Sequence, residues 1–458
     1  MKGLKYCCLL LLVFAISSHA QDTTPLTDQQ KLYGLSLFWK EAAYNFAYFD
    51  KQPGLDWDEE YQKFIPQVLA SKNTFEYYRV MERFSALLKD GHTDITYPKG
   101  LQLNSMDTPQ IALAEASHQA IVIIVAKSLE EKIPLGSRIL AVDGTPLETH
   151  LNQSVFPFIS TSSPLYLWSE GVQRVLRGKP DSSVKLLIEK PSGTQATVTL
   201  KRNSQKMQNT EFSFLPRPWP KAKHFEYRPL PNNLAYIALH SFAKREILAE
   251  FNQAYPDIQK AKALIIDLRF NGGGNTDIGA EILSHFSNKD LLAPSMRTRQ
   301  HIATYKAWGK WQLRQNLDAG DTDYRQFAEG NAWITLDSSQ ATLRATHKNP
   351  LIVPTIVLIS RNTVSAAEDF LIYASQLPHF KTMGENTGGT TGQPITFELP
   401  GGGSFRICTK RDTYPDGREF VGTGIVPAIP VALTPEILRS GKDVLLDLAV
   451  AELEKVKP

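Results

Sequence analysis

The chain has 458 residues, of which 42% are hydrophobic and 21% charged, and its formal net charge is +3. A chain of this length is expected to form two to four domains with buried cores, and its composition excludes an intrinsically disordered protein. Lys and Arg form no concentrated block, which argues against nucleic acid as a partner. Only one long apolar run is present, and this excludes a protein with several membrane spans.

That apolar run belongs to an N-terminal segment, residues 1–20, with the pattern of a signal peptide. Lys2 and Lys5 precede the apolar stretch, and Ser18-His19-Ala20 forms a small-x-small cleavage site. As a membrane anchor the stretch would be too short, because a spanning helix needs about 20 apolar residues. The sequence therefore predicts an exported protein, periplasmic or secreted, with no membrane span after cleavage.

Cysteine content agrees with a protein that is held together by its cores. Cys7 and Cys8 lie in the predicted signal peptide, so the exported chain keeps only Cys408 and can form no intramolecular disulfide. Cys408 ends an alternating segment, 404–408, and we expect it to fill a buried strand position rather than to act as a nucleophile.

The first part of the exported chain, residues 21–104, is predicted to be a helical domain. Apolar residues recur at helical spacing from Leu32 to Phe49, and a second helix should follow Asp56. Asn73 is a candidate N-cap for a third helix, which is expected to end near Gly91.

Residues 105–205 change to the period of two that is typical of strands. Strands are expected at 121–126 and 138–142, and a hairpin at 184–200. The stretch 135–144 resembles the "GD-x-I-x-x-V-N-G" signature of PDZ domains, which capture peptide ends by adding a strand to a sheet edge. We therefore expect a PDZ-like domain. The alternative is a β-rich domain that only spaces its neighbours.

A Pro-rich linker, residues 206–222, is predicted to lead into an α/β domain at 223–458. Apolar strands at 234–239, 263–270 and 352–360 alternate with amphipathic helices. The polar stretch 297–350 is expected to be an insertion at the rim of the domain, or a lid.

A triple-glycine segment follows the second of these strands. Gly272, Gly273 and Gly274 allow backbone N–H groups to turn towards a ligand, as in a phosphate loop or an oxyanion hole. Asp277 occupies the position where a dinucleotide fingerprint requires glycine, and no Gly-Lys-Ser/Thr follows, so a nucleotide site is disfavoured. An oxyanion-binding turn remains.

Ser365 lies between the third strand and the helix that follows it. A serine there is commonly only an N-cap, but the same position suits a nucleophile. The N–H of Ala366 and the positive end of the helix would face an oxyanion formed at Ser365, and Glu368 lies one turn further on the same face. A serine nucleophile needs a base, and His92, in the sharp turn Asp90-Gly91-His92-Thr93, is the candidate.

The order of the motifs along the chain resembles that of the tail-specific, C-terminal-processing serine peptidases. The motifs are, in order, Asp90-Gly91-His92-Thr93, the PDZ-like insert, the segment 266–274, Ser365-Ala366-Ala367-Glu368 and Gly422-x-Gly424-Ile425-x-Pro427. The resemblance implies a crotonase/ClpP-like α/β catalytic core with helical and PDZ-like domains attached.

One branch of this family uses a Ser–Lys dyad, and Thr390 stands where its lysine is expected; Lys381 and Lys410 do not match. His92 therefore indicates the tricorn-like branch, which the interphotoreceptor retinoid-binding protein repeats also resemble.

The sequence departs from the tricorn-like pattern at three positions. Gly91 replaces a serine before the histidine, Val421 replaces a glutamate, and Ala428 replaces an acidic residue. The group that orients His92 is thus unassigned, with Glu419 and Glu368 as candidates.

Together, these features predict an exported serine peptidase that cleaves extended polypeptides, possibly near their C-termini. The resemblance implies Ser365, His92 and Glu368 as catalytic residues and Gly272, Gly273 and Ala366 as oxyanion-hole residues. No metal or organic cofactor is implied, and no oligomeric state is predicted. Two alternatives stay open: a non-catalytic protein that binds a peptide or hydrophobic ligand on the same scaffold, and another hydrolase such as an esterase, although Gly-x-Ser-x-Gly is absent around Ser365.

Overall fold

The structure, a computed structural model, describes residues 25–206, 210–215, 224–317, 323–336 and 342–455. The predicted signal peptide and much of the predicted linker lie outside this part of the chain. No helix within the described ranges is both long and apolar enough to cross a membrane.

Three helices open the described chain, as the sequence predicts: α1 (Asp28–Asn45), α2 (Trp57–Ala70) and α3 (Thr74–Ala86). Side chains cap α2 and α3, since Asp56 and Asn73 accept hydrogen bonds from N–H groups in the first turns. The expected end near Gly91 is wrong. Helix α3 ends at Ala86, and the residue with left-handed backbone beyond it is Lys89, with φ of 48°.

The region 94–215 contains a short strand and helix followed by an antiparallel sheet. Its elements are β1 (Asp94–Thr96), α4 (Leu101–Ser105), β2 (Ile111–Ala116), β3 (Gln119–Ala126), β4 (Arg138–Val142), β5 (Thr145–Pro146), α5 (Leu147–His150), α6 (Pro164–Arg174), β6 (Ser183–Glu189), β7 (Gln195–Lys201) and β8 (Phe212–Phe214). The main sheet has the order β2-β3-β4-β6-β7, with β5 on β4 and β8 on β3. We call residues 107–215 the β-module. Its seven antiparallel strands agree with the predicted β-rich domain, and its assignment as PDZ-like stays a prediction.

The rest of the chain alternates strands and helices. Its elements are β9 (Phe225–Leu230), β10 (Leu234–Leu239), α7 (Glu246–Ile258), β11 (Ala263–Asp267), α8 (Thr276–Ser284), β12 (Ser295–Arg299), α9 (Ala303–Gln315), α10 (Arg325–Glu329), β13 (Trp333–Leu336), β14 (Thr355–Ile359), α11 (Ala366–Ala374), β15 (Phe380–Gly384), β16 (Pro394–Leu399), β17 (Gly403–Cys408), β18 (Lys410–Thr413), β19 (Ile429–Pro430), α12 (Pro435–Arg439) and α13 (Val444–Glu454).

A six-stranded sheet organises this region, in the order β19-β15-β14-β11-β10-β9. Neighbouring strands are parallel except for the antiparallel edge pair β9/β10. Strands β10, β11 and β14 are buried along their whole length, because helices cover both faces of the sheet. The mixed α/β class is thus confirmed, whereas the crotonase/ClpP-like assignment stays a prediction.

The predicted insertion 297–350 has secondary structure of its own. It contains α9, α10 and β13, and β12 joins β13 and β18 in a three-stranded antiparallel sheet. This sheet attaches the insertion to β18. Cys408, just before β18, is fully buried, as the sequence predicts.

The N-terminal helices share their apolar core with the hairpin β16–β17. The rings of Trp57 and Phe84 stack 4.4 Å apart, and Phe38 packs against Phe405 of β17 at 5.0 Å. Strand β1, which follows α3, pairs with β17 in antiparallel register. The turn 90–93 between α3 and β1 is therefore fixed against the α/β region.

A buried ion network joins the β-module to the same region. Arg361, in the loop after β14, contacts Glu115 of β2 and donates from Nε to Glu385 at 3.1 Å. All three side chains are largely removed from solvent. An ion pair in such a position is costly to break, because the remaining charge stays buried.

We expect Glu115→Ala to lower the free energy of unfolding by about 1.5–3 kcal/mol, since Arg361 would lose one of two carboxylate partners in a buried position. Glu189→Ala is the matched control: it removes a partly exposed partner of Arg138 in the same module and should cost below about 1 kcal/mol. Urea unfolding followed by tryptophan fluorescence measures both. Equal effects would contradict a structural role for the buried pair.

Candidate active site

Ser365 stands at the point where the chain passes from β14 into α11. Its backbone has φ 57° and ψ −128°, a conformation that is strained for a residue with a side chain. All nine residues of α11 are buried, so the helix cannot shift to relieve this strain. The backbone turns the serine side chain out of the helix axis, at the end where N–H groups lack helical acceptors.

The glycine-rich segment packs directly against this serine. A side chain at Gly273 would place its Cβ 2.6 Å from the Ser365 Cβ, and one at Gly274 would meet the Phe242 backbone at 2.3 Å. Asn271 fixes the segment, since its side chain donates to the Leu239 carbonyl at 2.9 Å and accepts from the Gly273 N–H at 2.9 Å. Glycine is therefore required by close approach.

The structure brings His92 to Ser365 from a position 273 residues away in the chain. His92 Nε2 lies 3.3 Å from Ser365 Oγ, and the imidazole is 8% exposed. Asp90 Oδ2 accepts from the His92 N–H at 3.1 Å, and Arg406 binds both the Gly91 carbonyl and Asp94. The turn that carries the imidazole is held from both sides.

The second ring nitrogen of His92 meets a hydroxyl. His92 Nδ1 lies 2.9 Å from Thr390 Oγ1. If Nδ1 carries the proton and donates it to Thr390, Nε2 is free to accept the hydroxyl proton of Ser365. Ser365, His92 and Thr390 thus form a hydrogen-bonded row in the order that a nucleophile, a base and an orienting group require.

Burial sets the ionisation of the imidazole. It lowers the pKa of His92 to about 4, and the positive charges of Arg406 and Lys410 act in the same direction. The imidazole is therefore neutral at physiological pH, which is the form a general base needs. Burial also raises the pKa of the neighbouring Asp90 to about 6.

Glu368 is fully buried beside Ser365 and forms no hydrogen bond with His92. Its carboxylate accepts from the N–H groups of Gly389 at 2.9 Å, Thr390 at 3.1 Å and Ser365 at 3.2 Å, and from the Thr387 hydroxyl. Burial raises its pKa to about 8, and these four donors oppose the rise. Glu368 thus ties the start of α11 to the loop 387–390.

Of the three predicted oxyanion-hole residues, Ala366 has the first N–H of α11, where no helical acceptor exists. At Gly272 an added Cβ would meet no atom within 4 Å, and the oxyanion-hole role of both residues stays a prediction. The Gly273 N–H already donates to Asn271 Oδ1. The described part of the chain contains no cluster of three or more metal-ligating side chains.

Two residues of this site were missed by the sequence reasoning. The sequence marks Thr390 only as the position where a lysine is absent, and Asn271 only as part of the glycine motif. Glu419, one candidate for orienting His92, forms ion pairs with Arg411 and Lys51. The family pattern marks position 390, but no sequence signal links the Thr390 hydroxyl to His92, since a lone threonine carries no spacing pattern.

Comparison with known proteins finds peptidases that are similar to this chain. Residues 233–431 match the model of Peptidase family S41. The predicted resemblance to C-terminal-processing peptidases is confirmed, whereas the tricorn-like branch stays a prediction. A carboxyl-terminal-processing protease of Picosynechococcus sp. is 23% identical over 429 residues, which cover 92% of this chain and 87% of the relative. The carboxy-terminal processing protease CtpB of Bacillus subtilis is 23% identical over 258 residues, 56% of this chain and 44% of that protein.

Among solved structures, mature CPAF complexed with lactacystin has a TM-score of 0.68 at 15% identity, covering 93% of this chain and 99% of that chain. This likeness shows a shared fold. The relationship to S41 peptidases supports a peptidase, a hydrolase whose substrate is a polypeptide.

We expect His92 to titrate near pH 4 in the folded protein, against about 6.5 for an exposed imidazole, because burial disfavours its charged form. Its folded-state pKa lies below the unfolded value, so its contribution to stability is complete above about pH 6.5 and is lost as the pH falls towards 4. An NMR titration of the His92 imidazole measures the midpoint. A midpoint between about 6 and 7 would contradict the buried, neutral base.

Proposed function

We propose that this chain is an exported serine peptidase in which Ser365 is the nucleophile and His92 its general base. The observation that carries the proposal is the 3.3 Å contact between His92 Nε2 and Ser365 Oγ, made across 273 positions of sequence. A serine that serves only as an N-cap has no need of a buried, neutral imidazole at its hydroxyl.

Catalysis follows from the placement of these groups. Ser365 Oγ attacks the scissile carbonyl while His92 Nε2 takes its proton, and the same proton then passes to the leaving amine. The tetrahedral oxyanion would be stabilised by the N–H groups of Ala366 and Gly272, each contributing about 3 kcal/mol to lowering the barrier. The N-terminal end of α11 adds its dipole at the same point. In the second step His92 takes a proton from water, the water oxygen attacks the acyl carbon, and the proton returns to Ser365 Oγ as the acid product leaves.

The substrate is an extended polypeptide that is bound close to its C-terminus. Both relatives described above carry names that state C-terminal processing. In this chain, β2 is an edge strand of the β-module, and an edge strand is where peptide recognition adds a strand to a sheet. A cavity of about 670 Å³ lies along β2 and α6 and is bounded on the other side by Arg361, four positions before Ser365. The signal-like segment 1–20 supports export.

A fluorophosphonate probe tests the nucleophile directly. We expect labelling of Ser365 in the wild type, none in Ser365→Ala, and at least about 100-fold slower labelling in His92→Ala, because the hydroxyl loses its base. Mass spectrometry of the labelled peptide identifies the site. The absence of labelling in a folded wild-type protein would favour the alternative of a non-catalytic binding protein.

Peptide length and end group test the substrate class. We expect a peptide with a free C-terminal carboxylate to be processed with a kcat/KM at least about tenfold higher than its C-terminally amidated form, since a missing charged contact costs about 1.4 kcal/mol or more. Mass spectrometry of the products measures both rates. Equal rates, or cleavage of small esters without peptide cleavage, would contradict C-terminal recognition and favour another hydrolase.

A further inference from the structure

Thr390 touches the nucleophile, the base and the buried carboxylate at the same time. Its Oγ1 lies 2.9 Å from His92 Nδ1, its carbonyl accepts from the Ser365 N–H at 3.0 Å, and its N–H donates to Glu368 at 3.1 Å. These are three separate polar groups of one residue. No other residue of the site contacts both Ser365 and His92 through hydrogen bonds in the described part of the chain.

The tautomer of His92 that catalysis requires makes the Thr390 hydroxyl a hydrogen-bond acceptor. For Nε2 to accept the proton of Ser365, the imidazole must hold its proton on Nδ1. That proton needs an acceptor, because an imidazole free to rotate would lose its alignment with Ser365. Thr390 Oγ1 is the side-chain acceptor within hydrogen-bond distance of Nδ1.

We propose that Thr390 is the positioning residue that orients His92, and that Glu368 acts through it. The inference rests on the proposed function and deepens it by assigning the group that the sequence left open. Glu368 does not reach the imidazole. It holds the loop 387–390 by three hydrogen bonds and the Ser365 N–H by a fourth, and thereby fixes the Thr390 hydroxyl relative to Ser365.

The neighbouring residue Gly91 fits this assignment. A Cβ at position 91 would lie 2.6 Å from Thr390 Oγ1 and 3.1 Å from its Cβ. The serine that the tricorn-like pattern places before the histidine could not be accommodated beside Thr390. The absence of a side chain at Gly91 therefore leaves the space that the Thr390 side chain occupies.

The rival orienting group is committed elsewhere. Glu419 accepts from Arg411 at 2.6 Å and also pairs with Lys51. Arg411 is 4% exposed and holds Asp50 with its other nitrogen, so Glu419 is part of a charge network that fixes β18 to the N-terminal region. Neither of its carboxylate oxygens contacts His92.

Substitutions at Thr390 separate orientation from folding. Thr390→Val keeps the shape and removes the acceptor, and we expect kcat to fall about 100-fold with KM changed less than about threefold, since only the proton-transfer step is affected. Thr390→Ser restores the hydroxyl and should recover kcat to within about fivefold of wild type. Thr391→Val is the matched control: it removes a neighbouring buried hydroxyl, bonded to Asp412, and should leave kcat unchanged.

Two further measurements keep the inference open to contradiction. The ¹⁵N shifts of His92 in the wild type should show a protonated Nδ1 and a bare Nε2; the opposite tautomer overturns the inference, even if Thr390→Val fails to fold. Wild-type kcat in Thr390→Val, together with a loss of about 100-fold in Glu419→Gln, would assign the orienting role to Glu419 instead.

The proposed function fails separately from this inference. If Ser365→Ala retains full turnover, the nucleophile assignment is wrong and both proposals fall. If Ser365→Ala is inactive and Thr390→Val is fully active, only the role of Thr390 falls.

Discussion

A positive φ of 57° at Ser365 is the constraint around which the α/β region is arranged. This conformation costs about 1–3 kcal/mol for a residue with a side chain, so its surroundings must hold it. They do so through the N–H of Ser365, which Thr390 and Glu368 share, and through Gly273, which packs against the Ser365 Cβ. The buried helix α11 and the parallel strands beneath it supply a rigid base.

His92, the proposed base, comes from a different part of the fold than Ser365. His92 follows α3, and the pairing of β1 with β17 carries it across to Ser365. The aromatic core beneath that turn contains residues of both regions, including Phe38 and Phe405. The position of the His92 imidazole therefore depends on the packing of the N-terminal region, because the turn cannot shift without opening this core.

The sequence predicted the elements with strong periodicity and could not predict contacts between distant loops. Helices α1 to α3, the hairpin β6–β7 and the parallel strands follow from apolar spacing, because a core imposes that spacing on each element by itself. The end of α3 at Ala86 and the helices within 297–350 were missed, since tertiary packing decides such features. Ser365 and His92 were found through ordered motifs. Thr390 was not, because its hydroxyl gains a role only when a histidine 298 positions away meets it.

In the proposed site, an orienting hydroxyl in place of a carboxylate would change the electrostatics of His92. With an adjacent carboxylate, the charged imidazole would be stabilised before the reaction begins, and its pKa would rise. Here burial, Arg406 and Lys410 all disfavour the charged form, and the pKa of His92 lies near 4. An imidazole of such low pKa is a weak base, so in the proposed mechanism an oxyanion formed beside the imidazolium must supply the stabilisation that its surroundings withhold. Its stabilisation is then confined to the transition state, which is where an interaction lowers the barrier without tightening the ground state.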